Sequence, residues 1–134
     1  MPAAGIGILA IDHVQLAMPA GGEPAARRFY GELLGLREVT KPSALVGRGG
    51  CWFAGPSGVA VHLGVEDPSP LAARAHPCFV VANLAAAERR LADTGATLEP
   101  DDSGLDVDRC YLRDPFGNRI ELLDARDAGF SEGG

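Results

Sequence analysis

Residues 52–63 read WFAGPSGVAVHL, and residues 111–122 read YLRDPFGNRIEL. The two stretches align without a gap. Trp52 falls on Tyr111, Pro56 on Pro115, Gly58 on Gly117 and His62 on Glu121, and Cys51 precedes one stretch as Cys110 precedes the other. Each has a Pro-x-Gly turn between two segments of strand-forming character, which predicts an antiparallel pair of strands. A run of matches across a turn and both its flanks marks an internal repeat.

Upstream of each stretch the same order of elements recurs. AIDHVQLAM (10–18) alternates as a strand. EPAARRFYGELLG (23–35) predicts a helix, with Pro24 in its first turn, an apolar stripe of Ala26, Phe29, Tyr30, Leu33 and Leu34, and a stop at Gly35. LREVT (36–40) predicts a short strand, the Gly-rich stretch 44–55 an interrupted one, and VAVHLGV (59–65) a clear one. After the Pro-rich linker 67–75 the pattern restarts. HPCFVVA (76–82) is a strand, Asn83 caps a helix that ends at Gly95, and strands follow at 96–100, 110–113 and 118–124. The predicted class is α+β: two tandem βαβββ modules, 9–66 and 76–124, with a polar tail, 125–134, expected to fray.

Composition narrows the function. Twelve basic residues against eighteen acidic give a net charge of −6, and Lys41 is the single lysine. That balance argues against nucleic acid or an anionic membrane as partner. No stretch approaches the roughly 18–20 apolar residues of a membrane helix. Cys51, Cys78 and Cys110 form no Cys-x-x-Cys pair and no disulfide framework, so a reduced, cytoplasmic protein is expected.

The three histidines carry the chemical signal. His13 and His76 occupy equivalent positions at the start of each module, His62 lies on the last strand of the first, and Glu121 fills the fourth equivalent place. Three imidazoles and a carboxylate suit a divalent transition metal. Strand parity sends them the same way. If Val61 and Leu63 face the helices, His62 faces away. Glu121 follows from Ile120 and Leu122, His13 from Val14 and Leu16, and His76 from Phe79 and Val81. A pseudo-two-fold relation between the modules would bring the four together. By the same parity Gln15, Cys78 and Arg119 share the faces of these residues.

The paired modules, with IDHVQLAM at the start, FYGELLGL at the helix end, HPCFVV opening the second half and DPFGNRIEL near the end, resemble the vicinal oxygen chelate superfamily over about residues 9–124. This is the group of glyoxalases, bleomycin-resistance proteins and extradiol dioxygenases. The resemblance implies a glyoxalase-like half-barrel cavity and a metal site of His13, His62, His76 and Glu121. The ion would be zinc, nickel, manganese or ferrous iron. Members with two histidines and one glutamate would correspond to His13, His76 and Glu121. His62 stands where glyoxalase I itself carries a glutamate, which leaves Glu121 as the one carboxylate able to act as catalytic base.

The resemblance also implies substrate contacts at Tyr111 and its repeat mate Trp52, beside Gln15 and Arg119. The fosfomycin-resistance members carry a serine- and lysine-bearing loop before the last strands. Here residues 99–108 are acidic, which counts against a phosphonate substrate. The expected function is that of a metal-dependent lyase, isomerase or dioxygenase acting on a small molecule with vicinal oxygens, and a homodimer is expected, with sites formed within one chain or shared between two. The alternative is a metal-free protein of the bleomycin-resistance type that sequesters a drug, for which the acidic loop would suit a cationic ligand.

Overall fold

The structure is a computed structural model that describes residues 5–68 and 72–129. Its first sheet is made of β1 (Val14–Met18), β2 (Arg37–Val39), β3 (Cys51–Ala54) and β4 (Ala60–Val65), in the order β1-β4-β3-β2. The second comprises β5 (Cys78–Val81), β6 (Leu98–Pro100), β7 (Arg109–Arg113) and β8 (Arg119–Asp124), in the order β5-β8-β7-β6. In each sheet the first strand runs parallel to the last and the other pairs are antiparallel. The parallel pair needs a long crossover, and the rest of each module supplies it. Two tandem βαβββ modules are therefore present, and neither sheet closes into a barrel.

The first helix opens as an α-turn, α1 (Glu23–Ala26), and continues as a wider π-helix over Arg27–Leu33, which ends with the Leu34 N–H donating to the Phe29 carbonyl at 2.8 Å. Pro24 sits in the first turn, where a missing N–H breaks no bond. Phe29 and Tyr30 are buried from this segment. The second helix, α2 (Leu84–Asp93), is capped by the Asn83 side chain, which accepts from the Ala86 N–H at 3.0 Å. Leu84 and Leu91 are its buried residues.

The core faces of the sheets follow the alternation. Met18, Phe53, Val61 and Leu63 are buried in module one, and Leu112, Ile120 and Leu122 in module two. Burying each such side chain contributes about 1.5–3 kcal/mol. Gly50 shows how closely the backbones approach. It has φ +83, and a Cβ there would lie 2.1 Å from the Leu63 carbonyl oxygen. Only glycine fits.

The modules meet through polar bonds at the turn 114–118. Asp114, buried, accepts from the Tyr30 hydroxyl at 2.7 Å and from the N–H groups of Phe116 and Asn118. The Asn118 amide donates both to Asp114 and to the Ala17 carbonyl on β1. Beside them, Phe116 packs against Gly22.

Several boundaries differ from expectation. Strand β1 begins at Val14, so His13 precedes it, and His76 precedes β5 by two residues. Between His76 and β5, Pro77 has no N–H to give to a ladder. Residues 43–48 form a 3₁₀ turn, not strand. Ala125–Ala128, placed in the fraying tail by sequence, form a 3₁₀ turn whose Arg126 N–H donates to the Asp124 carboxylate. Linker residues 69–71 and tail residues 130–134 lie outside the described part. Among the described residues no helix is long and apolar enough to cross a membrane.

Candidate functional site

Register puts the singled-out residues on the faces away from the cores. On the first sheet Trp52 and Gln15 both lie directly beside His62, with Val39 beside Trp52. On the second, Glu99, Tyr111, Glu121 and Cys78 form one row across the four strands. Partners in register share a face, so each row points one way. Arg119 lies two residues from Glu121 along β8 and so shares its face.

The first face carries a column of stacked rings. Trp52 and His62 lie 3.7 Å apart and 2° from parallel. On the other side of His62, His13 lies 4.0 Å away at 18°. His62 is 8% exposed. Its burial pushes its pKa below the usual imidazole value, repulsion by His13 adds to this, and the Asp12 carboxylate partly offsets it. His13 points Nδ1 at Asp12 Oδ2, 2.8 Å away. The Gln15 side chain lies across Gly64, where a Cβ would meet its amide at 2.6 Å.

The second face carries an ion-pair system. Glu121 is 7% exposed, and its Oε1 stands 2.9 Å from His76 Nε2. His76 Nδ1 donates to the Arg74 carbonyl at 2.6 Å, which can only accept, so the proton on that nitrogen is fixed. Glu121 Oε2 is 3.6 Å from Arg109, whose guanidinium is held more tightly by Asp101 at 2.8 Å. Tyr111 packs edge-on to His76 and lies under Arg119, whose guanidinium carbon is 4.1 Å from the ring centre. Partial desolvation, reinforced by the charge and hydrogen bond of Glu121, pushes the Cys78 thiol up to about 11, so it is protonated at neutral pH.

These details test the fit of a divalent ion. Two donors on one ion at about 2.0–2.2 Å stand roughly 3.0–3.4 Å apart, close to the His76–Glu121 separation. His76 and His13 each have Nδ1 engaged by an oxygen, the arrangement that orients ligating imidazoles and leaves Nε2 for the metal. His62 does not fit as it stands. A ligating ring holds the ion in its own plane about 2.0–2.1 Å from nitrogen, and two nearly parallel rings have no common point at that reach. His13 and His62 therefore cannot hold one ion while stacked; one ring must turn.

The structure brings His13 to His62 and His76 to Glu121, but not all four together. Among the described residues no three His, Cys, Asp or Glu side chains of one chain are gathered as a metal site. Sequence reading missed Arg109 and Arg113, which flank Tyr111 on its own strand face, and Glu99. Period-two alternation from Tyr111 gave the signal for both arginines. It also missed Asp12 as the partner of His13.

Comparison with known proteins follows the fold. The family described as a glyoxalase-like domain matches residues 15–123. A Bacillus anthracis protein assigned to the glyoxalase family is 44% identical, with a TM-score of 0.84 over 90% of this chain and 98% of that one. A glyoxalase/dioxygenase from Nostoc punctiforme superposes with a TM-score of 0.68 at 23% identity, over 90% of this chain and 98% of that one. The fosfomycin resistance protein FosX of Listeria monocytogenes does so with 0.68 at 15%, over 88% and 92%. No curated protein matches the chain in sequence. At 23% and 15% identity the likeness is one of fold. The match over residues 15–123, with the 44% identical relative, places this chain in the glyoxalase-like domain family, and so in the vicinal oxygen chelate superfamily.

Proposed function

We propose that the protein is a divalent-metal-dependent enzyme acting on a small organic molecule with neighbouring oxygens. The observation that carries this reading is the His76–Glu121 pair: a buried carboxylate, in contact with an imidazole whose other nitrogen is already committed to a carbonyl. A buried carboxylate is costly without a partner, and an ion is one. His76 and Glu121 would hold it with His13 from the other type of face, and His62 joins once the His13–His62 stack opens. Bound there, zinc, nickel, manganese or ferrous iron would supply Lewis acidity toward oxygens that gain negative charge.

The chain's own residues do the rest. Trp52 and Tyr111 offer ring faces that exclude water from the cavity sides. Gln15 offers an amide for a polar group, and Arg119 a fixed cation. Glu121 would accept a proton from the substrate once it leaves the metal.

The site is completed by a second copy in this reading: module one of one chain faces module two of the other. Two features support the homodimer. Strands β1 and β5 stand at sheet edges. Next to β1, Ile6, Ile8, Leu9 and Ile11 are all at least 81% exposed, an apolar strip that solvent penalises.

The test is elemental analysis of untagged protein beside His76→Ala. About one equivalent of transition metal per chain, lost in a folded variant, is the expected result. Folded wild-type protein that takes up none after incubation with zinc, nickel, manganese or ferrous iron overturns the reading. Drug sequestration would then be pursued through ligand-induced stabilisation.

A further inference from the structure

On a chain of net charge −6, one cavity is cationic. It has a volume of about 470 Å³ and is lined by Ala73, Arg74, His76, Glu99, Arg113 and Arg119. Three guanidiniums face a single carboxylate there. Among the described residues, none of the three is ion-paired: Arg113 meets backbone carbonyls and Arg119 a ring.

Arg113 and Arg119 are directly opposite each other on neighbouring strands. Like charges in that relation destabilise a sheet. Both are nonetheless held in place. Arg113 Nη1 donates to the Ala72 carbonyl at 2.9 Å and the Gly117 carbonyl at 3.0 Å, leaving its other donors unassigned. Arg119 lies over the Tyr111 ring, which fixes the guanidinium by cation–π attraction while its edge stays open. Two pinned cations with open donor edges at one cavity wall are what an oxyanion recognises, by charge and by the planar fork.

Two carboxylates of the acidic stretch are engaged elsewhere, while its Glu99 lines the cavity. Asp101 binds Arg109, Asp108 binds Arg126, and neither lines this cavity. The cavity is continuous with the metal-site candidates through His76, which lines it and contacts Glu121.

We propose that Arg113 and Arg119, with Arg74 at the side, bind a terminal oxyanion group of the ligand, a carboxylate or a phosphate. The substrate class is then a small organic anion whose other end reaches His76 and Glu121. Only that last placement rests on the proposed metal-dependent function; the anion site itself stands without metal.

The experiment follows the arginine Nε–Hε resonances of the full chain by NMR at constant ionic strength. Benzoate, phenyl phosphate and neutral benzamide are the three probes, each used on metal-stripped protein and on protein with one equivalent of zinc. Expected are saturable shifts of Arg113 and Arg119 with at least one anion and none with benzamide; the tighter anion identifies the group. Arg119→Gln, which breaks no backbone bond, lowers the affinity about tenfold or more. Arg113→Gln does the same if folded, and Arg126→Gln leaves the affinity unchanged. Equal shifts with benzamide, no saturation with either anion, or unchanged affinity in folded Arg119→Gln overturns the proposal. Zinc uptake is read on the same samples. Anion binding without uptake of zinc, or of nickel, manganese or ferrous iron offered in its place, upholds the anion site and sinks the metal reading; zinc uptake without anion binding upholds the metal reading and sinks the anion site.

Discussion

The phenol of Tyr30 donates a 2.7 Å hydrogen bond to Oδ2 of Asp114, and both residues are buried. The bond ties the first helix of module one to the DPFGN turn of module two. Asp114 also accepts from the Phe116 N–H, the Asn118 N–H and the Asn118 amide, so one carboxylate organises the turn and docks it. Burial first, then the Asp114 charge and hydrogen bond, push the Tyr30 phenol far above its ordinary value, so it remains a donor at any working pH.

Tyr30→Phe removes that donor and leaves Asp114 three others. A loss of about 1.5–3 kcal/mol is expected. Asp114→Ala leaves several donors unsatisfied and is expected to cost on the order of 3 kcal/mol or more. Chemical denaturation of both variants measures this. A Tyr30→Phe variant as stable as wild type would show that the bond does not hold the modules together.

The chain has one tryptophan, and it is the outer ring of the Trp52–His62–His13 stack. Zinc titration is expected to change its fluorescence and to saturate with metal uptake, because His62 and His13 can share an ion only after their stack beside the indole opens. Constant emission during stoichiometric uptake would instead show the stack intact, with at most one of His13 and His62 on the ion.

Asp124 is an acid-sensitive point. Its carboxyl is held down at about 2, first by the Leu84 N–H that opens α2, then by the Arg126 N–H and side chain. An unfolded aspartate titrates near ~3.9. The stabilisation is therefore complete above that value and is lost as pH falls through about 2. Asp124→Asn is expected to be less stable than wild type near neutral pH, with the difference closing toward about pH 2. Denaturation midpoints across that range provide the check; a difference independent of pH would contradict it. Asn83→Ala, the neighbouring cap, is expected to cost about 1 kcal/mol at all these pH values.

Gly50→Ala is expected to destabilise module one by more than about 2 kcal/mol, since it adds left-handed strain to a contact with backbone that cannot yield. Gly58, also at positive φ but with open space around its Cβ position, is the control. Gly58→Ala carries the strain alone and should cost less. Thermal unfolding of the two variants gives the comparison, and equal losses would argue that the Leu63 carbonyl is not the obstacle.

The sequence by itself determined the repeated modules, the strand order in time and the facing of side chains. These rest on local periodicity: a period of two assigns faces to His62, Trp52, Tyr111 and Glu121 whatever the partner strand. Register then set Gln15 beside His62 and Cys78 beside Glu121. The same periodicity puts Arg109 and Arg113 on the Tyr111 face, but arginine is not a metal-ligand residue type and carries no such signal. The tertiary structure decided what no local pattern encodes. It stacked His62 between Trp52 and His13, joined His76 to Glu121, and paired Asp101 and Asp108 of the acidic loop with Arg109 and Arg126, away from the cationic cavity. Those outcomes depend on rotamers and docking between segments up to 101 residues apart, where packing and charge compensation select among arrangements that alternation leaves equivalent.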